Sequence, residues 1–530
     1  MGASGIGAAG ADVSPKGGNP LDVRRRAWAG SVFSLPNVLT ALYLVVGGML
    51  VSRHGLWRDE AQAFLIARDS ASIRELFYNL RFEGHPPLWH FLLWVLTRVT
   101  QRPEAMQWLH LAMAGTTVWL VARFAPFPKV AKVLFPFGYF PLFEYGVLAR
   151  NYQLILLMSV VFCAVWVRHR TGYVRLGVII ALLCLSHALG VIVAAGLGLM
   201  LVIDALTVRG KNRWRGMFSW GFVVGFLIAA VGAAAAVQVA VPKEGGTYAE
   251  GWHWDFRPEH VQETMRAVSD AYVPVSPWGE KFWNRSVIED DRLAAKVGRA
   301  CAVGALLCVI VSWRAALVLL VSDIGLLLFF QVKFLGYWRH HGVLFVALVA
   351  ALWIAWSARP VVVKEWRWWW KGVWWVPRGL FMGLLGLHVY AAAVAVYACW
   401  KYPFSPGREA AAVIRREMKP GDIVVSGNQV ITTSVAAYLP GVKMYFPVGG
   451  RWGTFTLWDD TAWGDANAMQ ILAFAWKQKT GVIVVRCWDG GRILGAKELG
   501  RFEEGIADNE MYSVQRIGPL KEPLGSGRRR

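Results

Sequence analysis

Up to residue 400 the chain alternates between long apolar runs and short polar breaks. The runs fall at 33–52, 88–100, 105–122, 130–148, 152–167, 176–187, 188–205, 216–241, 298–312, 315–331, 339–357 and 379–399. Several approach the roughly 20 residues that an α-helix needs to cross a bilayer. The short alternating segments that build a transmembrane β-barrel are absent. The pattern predicts a polytopic α-helical membrane protein with 11 to 13 transmembrane helices.

The polar breaks carry the topology. Arg24-Arg25-Arg26 precede the first run, and basic residues crowd 168–175, 207–215 and 359–378. Short basic loops favour the cytoplasm, so the N-terminus is expected inside. The loops 53–87 and 242–297, and everything after 400, are then outside. The count conflicts with itself once. Both 53–87 and 101–104 come out on the outer side, so one segment between 88 and 148 is split, re-entrant or fails to cross. The break at 359–378 interleaves Trp366, Trp368, Trp369, Trp370, Trp374 and Trp375 with cations. It reads as an inner-leaflet anchor.

Between the first two runs the apolar period becomes helical, at Ala63, Phe64 and Ala67 and then at Leu76, Phe77 and Leu80. This predicts two short helices lying in the membrane interface, with Asp59 and Glu83 turned to water. In the loop 242–297, Trp252-His253-Trp254 precede an amphipathic stretch at 258–271. After 400, helices expected at 407–418, 429–438 and 465–479 alternate with strands at 422–426, 442–446, 481–486 and 511–516. That alternation predicts a small extracytoplasmic α/β domain. It has no G-x-G-x-x-G turn, so no nucleotide is assigned to it. The expected organisation is a disordered cytoplasmic N-terminus at 1–30, a transmembrane domain at 31–400, the α/β domain at 401–524 and a basic tail at 525–530.

Composition supports the class. Charged residues make up 17% of the chain and the mean hydropathy is +0.39, against about 25% charged residues in soluble proteins. The net charge is +21. Its cations sit in short loops, where topology and anionic headgroups explain them better than a nucleic-acid partner. The six cysteines show no C-x-x-C spacing, so neither zinc nor a disulfide framework is expected. No cleavable signal peptide is evident; the first run acts as an uncleaved anchor. The expected location is the plasma (inner) membrane.

Three groups of residues carry candidate chemistry. The first runs from Trp57 to His90, with D-E-A at 59–61 and F-E-G-H-P-P-L at 82–88. The second is Phe143–Tyr152, and the third is Tyr337-Trp338-Arg339-His340-His341. Over roughly residues 30–360 the chain resembles the GT-C integral-membrane glycosyltransferases, particularly the protein O-mannosyltransferase and aminoarabinose-lipid A transferase branch. Those enzymes carry an acidic residue or Asp-Glu pair just after the first membrane helix, and many follow it with an E-x-P-P-L or H-P-P-L motif.

The resemblance implies a GT-C fold and an inverting transfer on the outer face. The donor would be a polyprenyl-phosphate-linked sugar and the acceptor a hydroxyl. It makes Asp59 the general base, with Glu60 as the alternative holder of that role. Glu83 matches the glutamate of the family's F-E-K-P motif, whose lysine faces the lipid phosphate. Here Gly84-His85 follow instead, so His85 becomes the replacement contact. Ala149-Arg150-x-Tyr152 fits a second family pattern, with Glu144 displaced, and offers Arg150 and Tyr152 to the phosphate. Arg339 with His340 is the third match, and Lys333 lies nearby in sequence. Arg58-Asp59-Glu60 is not D-x-D, so neither a catalytic metal nor another cofactor is expected.

The chemistry asks for little more. A base must take the acceptor proton and cations must hold the departing phosphate. Phosphate leaves well without an acid. Blander readings exist for each residue: helix N-terminal charge for Asp59-Glu60, snorkelling for Arg150, and a backbone hydrogen bond for His85. Two other classes compete. A transporter or flippase would place ionisable groups near the midplane, whereas Asp204 and Asp323 read as lying near span ends. A scaffold would need no carboxylate and would use the 401–524 domain to bind a partner.

Overall fold

The computed structural model describes residues 33–207, 219–249, 255–357, 368–487 and 491–519. The expected disordered N-terminus, the basic breaks at 208–215 and 359–367, Trp252-His253-Trp254 and the basic tail lie outside them. Six described helices are long and apolar enough to cross a membrane: Leu35–Arg53, Ala188–Thr207, Trp220–Ala240, Trp313–Val332, Trp338–Ser357 and Trp375–Lys401. The last is part of one helix, Trp368–Lys401. Residues 368–378, expected as part of a loop, are therefore helical. The chain is a multi-pass membrane protein.

The first helices are α1 (Leu35–Arg53), α2 (Arg58–Asp69), α3 (Ile73–Asn79), α4 (Leu88–Thr97) and α5 (Glu104–Phe124). They resolve the topological conflict. At about 1.5 Å per residue, the 10 residues of α4 reach half of a hydrocarbon core. Its end folds back on α2: Arg98 donates to the carbonyls of Ala67 at 3.2 Å and Arg68 at 2.9 Å. α5 then starts where α1 stopped, with Gln107 donating to the His54 carbonyl at 3.1 Å. The segment 88–100 does not cross.

The run at 130–148 is broken rather than absent. It is α-helical only over Lys129–Leu134, followed by a 3₁₀ turn at Phe135–Phe137 and a π turn at Tyr139–Glu144. Pro136, Gly138 and Pro141 account for the breaks. Broken backbone at membrane depth needs replacement partners, and Tyr43 donates its hydroxyl to the Pro141 carbonyl at 2.7 Å. Asp204 pairs with Arg314 at 2.5 Å near the end of its helix. Asp323, expected near an end, sits in the middle of Trp313–Val332.

Helix contact in lipid relies on small residues that let backbones approach. Here Tyr173–Ser186 packs against Trp220–Ala240 in that way. A Cβ added at Gly177 would meet the Gly225 carbonyl at 2.1 Å, and one at Gly225 would meet the Tyr173 carbonyl at 2.3 Å. Gly177→Val is expected to push these helices apart and lower the thermal midpoint in detergent by several degrees. Gly221→Val, with nothing within 4 Å, is expected to leave it unchanged. Equal midpoints would show that this contact does not hold the bundle.

After the last span the chain builds a six-stranded sheet in the order β3-β2-β1-β4-β6-β5. Its strands are β1 (Ile423–Ser426), β2 (Met444–Phe446), β3 (Arg451–Gly453), β4 (Val482–Cys487), β5 (Lys497–Phe502) and β6 (Tyr512–Ile517). β1 runs parallel to β2 and β4; the remaining pairs are antiparallel. The α/β pattern read from the sequence is present. The two edge strands, β3 and β5, escape it because they are short or polar, as edges are.

The expected interfacial placement of α2 is not what the fold does. Ala61, Phe64 and Leu65 are fully buried in one cluster with Val435, Ala436, Tyr438, Leu439 and Phe446 of the sheet domain. The apolar face of α2 meets protein instead of lipid. Backbone contacts fix its angle: Leu56 N–H donates to the Tyr438 hydroxyl at 2.9 Å and Arg58 N–H to Glu510 at 2.7 Å. Gln62 pairs with Thr456 in both directions, at 2.8 and 2.9 Å. α3 does keep Ile73, Phe77 and Tyr78 exposed, as an interfacial helix would.

Candidate active site

The N-terminus of α2 points two neighbouring carboxylates in different directions. Successive helix residues point about 100° apart. Glu60 turns inward, 0% exposed. It accepts from His54 at 2.7 Å, from Trp57 N–H at 2.9 Å and from Ala149 N–H at 2.5 Å. It ties the end of α1, the start of α2 and the loop before Arg150 together. Both of its oxygens are thereby engaged.

Asp59 turns the other way and keeps 23% of its side chain exposed. Arg150 stands 3.3 Å from its carboxylate, Arg339 3.7 Å and Arg58 3.8 Å. Burial alone would raise its pKa; the guanidinium charges of Arg150, Arg339 and Arg58 outweigh that and hold it below the usual carboxylate range. The Trp57 ring lies 4.8 Å from the Arg339 guanidinium and 5.7 Å from that of Arg150, within cation–π range. Trp283 packs edge-on against Trp57 at 4.8 Å. Glu144, buried, accepts from the Trp283 indole at 3.0 Å and so braces that ring.

Glu83 follows the 3₁₀ turn Leu80–Phe82, and Gly84 at φ +65° turns the chain behind it. Glu83 is 9% exposed and accepts from Gln62 at 2.6 Å. The nearby Trp458 indole also favours its ionised form. Burial nevertheless pushes its pKa up to about 7. His85 donates from Nδ1 to the Glu83 carbonyl at 2.7 Å, and burial holds its pKa at about 4. It is neutral near pH 7, and its Nε2 carries a lone pair.

Beyond the arginines lies a group of rings. Tyr152 sits 4.6 Å from His187 and 5.5 Å from His340, and His187 sits 5.4 Å from His85. Tyr337 N–H donates to His340 Nδ1 at 2.9 Å, and Leu189 N–H donates to His187 Nδ1 at 3.0 Å. Both imidazoles therefore present Nε2–H. The His187 Nε2 is buried without a partner in the protein. Buried donors ordinarily have one, so this atom points to a ligand or water. His187 carried no motif; its only signal was a histidine at the junction of two apolar runs. Lys333 directly follows the helix Trp313–Val332 and is half-buried. Among the described residues no three His, Cys, Asp or Glu gather as a metal would require.

The described architecture is thus a set of membrane helices, a folded carboxylate-bearing loop after the first span and a C-terminal sheet domain. No protein-family model matches the chain, and no curated protein matches it in sequence. In three dimensions it is similar to the crystal structure of ArnT from Cupriavidus metallidurans in the apo state. The identity is 15%, the TM-score is 0.54, and 93% of this chain and 100% of that one are covered. It is also similar to the same protein bound to undecaprenyl phosphate, at 15% identity and a TM-score of 0.51, covering 91% and 99%. The fold is thus an ArnT-like GT-C membrane fold.

Proposed function

We propose that the chain is an inverting glycosyltransferase that moves a sugar from a polyprenyl-phosphate donor to an acceptor hydroxyl, at the outer face of the plasma (inner) membrane. One observation carries the reading. Asp59, Arg150 and Arg339, far apart in sequence, meet within 3.7 Å over Trp57, in the fold of a protein solved with undecaprenyl phosphate. Donor phosphate oxygens would take the two guanidiniums from Asp59 in a bidentate geometry. The His187 and His340 Nε2–H groups and the Tyr152 hydroxyl, buried beside Arg339, are further neutral donors. Lys333 would add a cation nearby.

The step balances simply. The acceptor oxygen attacks the anomeric carbon as the carbon–oxygen bond to phosphate breaks. The electron pair leaves on the polyprenyl phosphate, and the hydroxyl proton passes to Asp59. Releasing Asp59 from its cations raises its basicity when the donor is bound. No metal or other cofactor is part of this scheme. Glu83 orients the acceptor through its carboxylate, which must then be ionised. Mass spectrometry of co-purified lipid tests the donor class: a polyprenyl-phosphate hexose or pentose supports it. Consistent absence, with no polyprenyl-phosphate binding on titration, removes it.

A pH profile tests Glu83. Transfer is expected to rise as pH passes upward through about 7, where Glu83 loses its proton, and Glu83→Gln is expected to lower the rate and abolish that limb. Stability gives an independent reading. A carboxyl raised from 4.5 to about 7 contributes stability fully present below pH 4.5 and lost as pH rises through 7. Glu83→Gln should therefore melt higher than the parent at pH 8 and alike at pH 4.5. An unchanged pH limb and no melting difference would remove Glu83 from this role.

A further inference from the structure

The scheme above leaves the acceptor as any hydroxyl. Tyr248, Trp458 and Trp463 narrow it. Tyr248 and Trp458 lie 5.5 Å apart at 48°, and Trp458 and Trp463 lie 5.6 Å apart at 50°. The rings come from two distant parts of the chain, the loop after Trp220–Ala240 and a loop of the sheet domain. Backbone contacts join the loops: Thr247 N–H donates to the Trp458 carbonyl at 2.7 Å, and its hydroxyl donates to the Asp459 carbonyl at 2.5 Å. Tyr248 remains 45% exposed and Trp463 51%. The third ring, Trp458, lies beside Glu83 and favours its ionised form.

Such rings suit one kind of visitor. A pyranose presents a face of weakly positive C–H groups to an aromatic face that is electron-rich. Successive rings are tilted by 48° and 50°. Glu83 stands at one end, and Asp459 and Asp460 border the loop. Carboxylates there accept sugar hydroxyls and repel phosphorylated or acidic groups. We propose that Tyr248, Trp458 and Trp463 form an acceptor platform, and that the acceptor is an uncharged saccharide whose hydroxyl is delivered to Asp59 and Glu83. The proposal rests on the transferase reading for its chemistry.

The test uses the full chain in nanodiscs and saturation-transfer NMR with mannotriose, maltotriose and galactotriose as probes. At least one trisaccharide is expected to receive saturation at its ring C–H protons. Trp463→Ala and Tyr248→Ala should each weaken binding about 3- to 10-fold, with thermal midpoints unchanged. Tyr248→Phe keeps the ring and should bind like the parent. The proposal is overturned if no trisaccharide binds, if the alanine variants bind equally well, or if a neutral Ser/Thr-rich peptide binds these rings in place of sugar. It is also overturned if oxidative footprinting finds Trp463 shielded with no sugar added, which would assign the rings to the bilayer interface. Polyprenyl-phosphate titration of the same samples separates the two readings. Loss of sugar binding alone sinks the platform, and loss of lipid-phosphate binding alone sinks the donor assignment.

Discussion

Asp59→Asn is expected to reduce sugar transfer by about 10³-fold while tightening the hold on polyprenyl phosphate. The two effects have one cause. General-base catalysis is worth about 10²- to 10⁴-fold, and asparagine keeps the shape of aspartate without accepting a proton. The same carboxylate stands 3.3 Å from Arg150 and 3.7 Å from Arg339, so in the free protein it competes with phosphate for both. Replacing it removes the one carboxylate paired with both cations among the described residues. A scaffold or transporter reading gives no reason for opposite changes in turnover and affinity. Transfer assays in proteoliposomes, with lipid-phosphate titration of the same preparation, measure both. A variant that transfers at the parental rate would end the base assignment, and weaker lipid-phosphate binding would end the picture of competition.

Arg150→Lys and Arg339→Lys are each expected to lower kcat/KM by about 10²- to 10³-fold, the usual loss when one preorganised charge contact to the transition state is removed. Lysine keeps the charge but not the planar fork, nor the stacking on Trp57 seen at 4.8 and 5.7 Å. The double variant should lose less than the product of the single losses, because both side chains grip one phosphate. Trp57→Ala should imitate part of the loss by freeing both guanidiniums. Steady-state kinetics across the four variants decide the matter. Full activity in either lysine variant would mean that a point charge suffices and that no fork forms.

Much of the fold was legible because lipid imposes a strong rule. Backbone groups in hydrocarbon must be satisfied within the segment, so spans appear as apolar runs. The sheet domain was legible from its alternating periods. The conflict between 88 and 148 was not, because hydropathy counts apolar residues and is blind to what they face. α4 is apolar since it packs on α2 and neighbouring helices, and only Arg98 capping the Ala67 and Arg68 carbonyls shows that it turns back. The apolar face of α2 misled in the same way: a protein surface and a membrane surface ask the same period of a helix.

At the site, composition and motif put Asp59, Glu83, Arg150 and Arg339 forward as candidates, since charged groups beside apolar spans are costly and rare enough to stand out. The sequence could not separate Asp59 from Glu60, which differ in chain position by one residue and in direction by about 100°. In the tertiary structure three donors surround Glu60, while Asp59 faces the arginines. The tertiary structure also supplied His187, the brace from Glu144 through Trp283 to Trp57, and the aromatic rings beside Glu83. None has a local signature, because each arises only where segments distant in sequence come together. The chain alone determined a membrane-embedded protein with an acidic loop after its first span; the folding of that loop against the sheet domain decided which of its acids faces the cations.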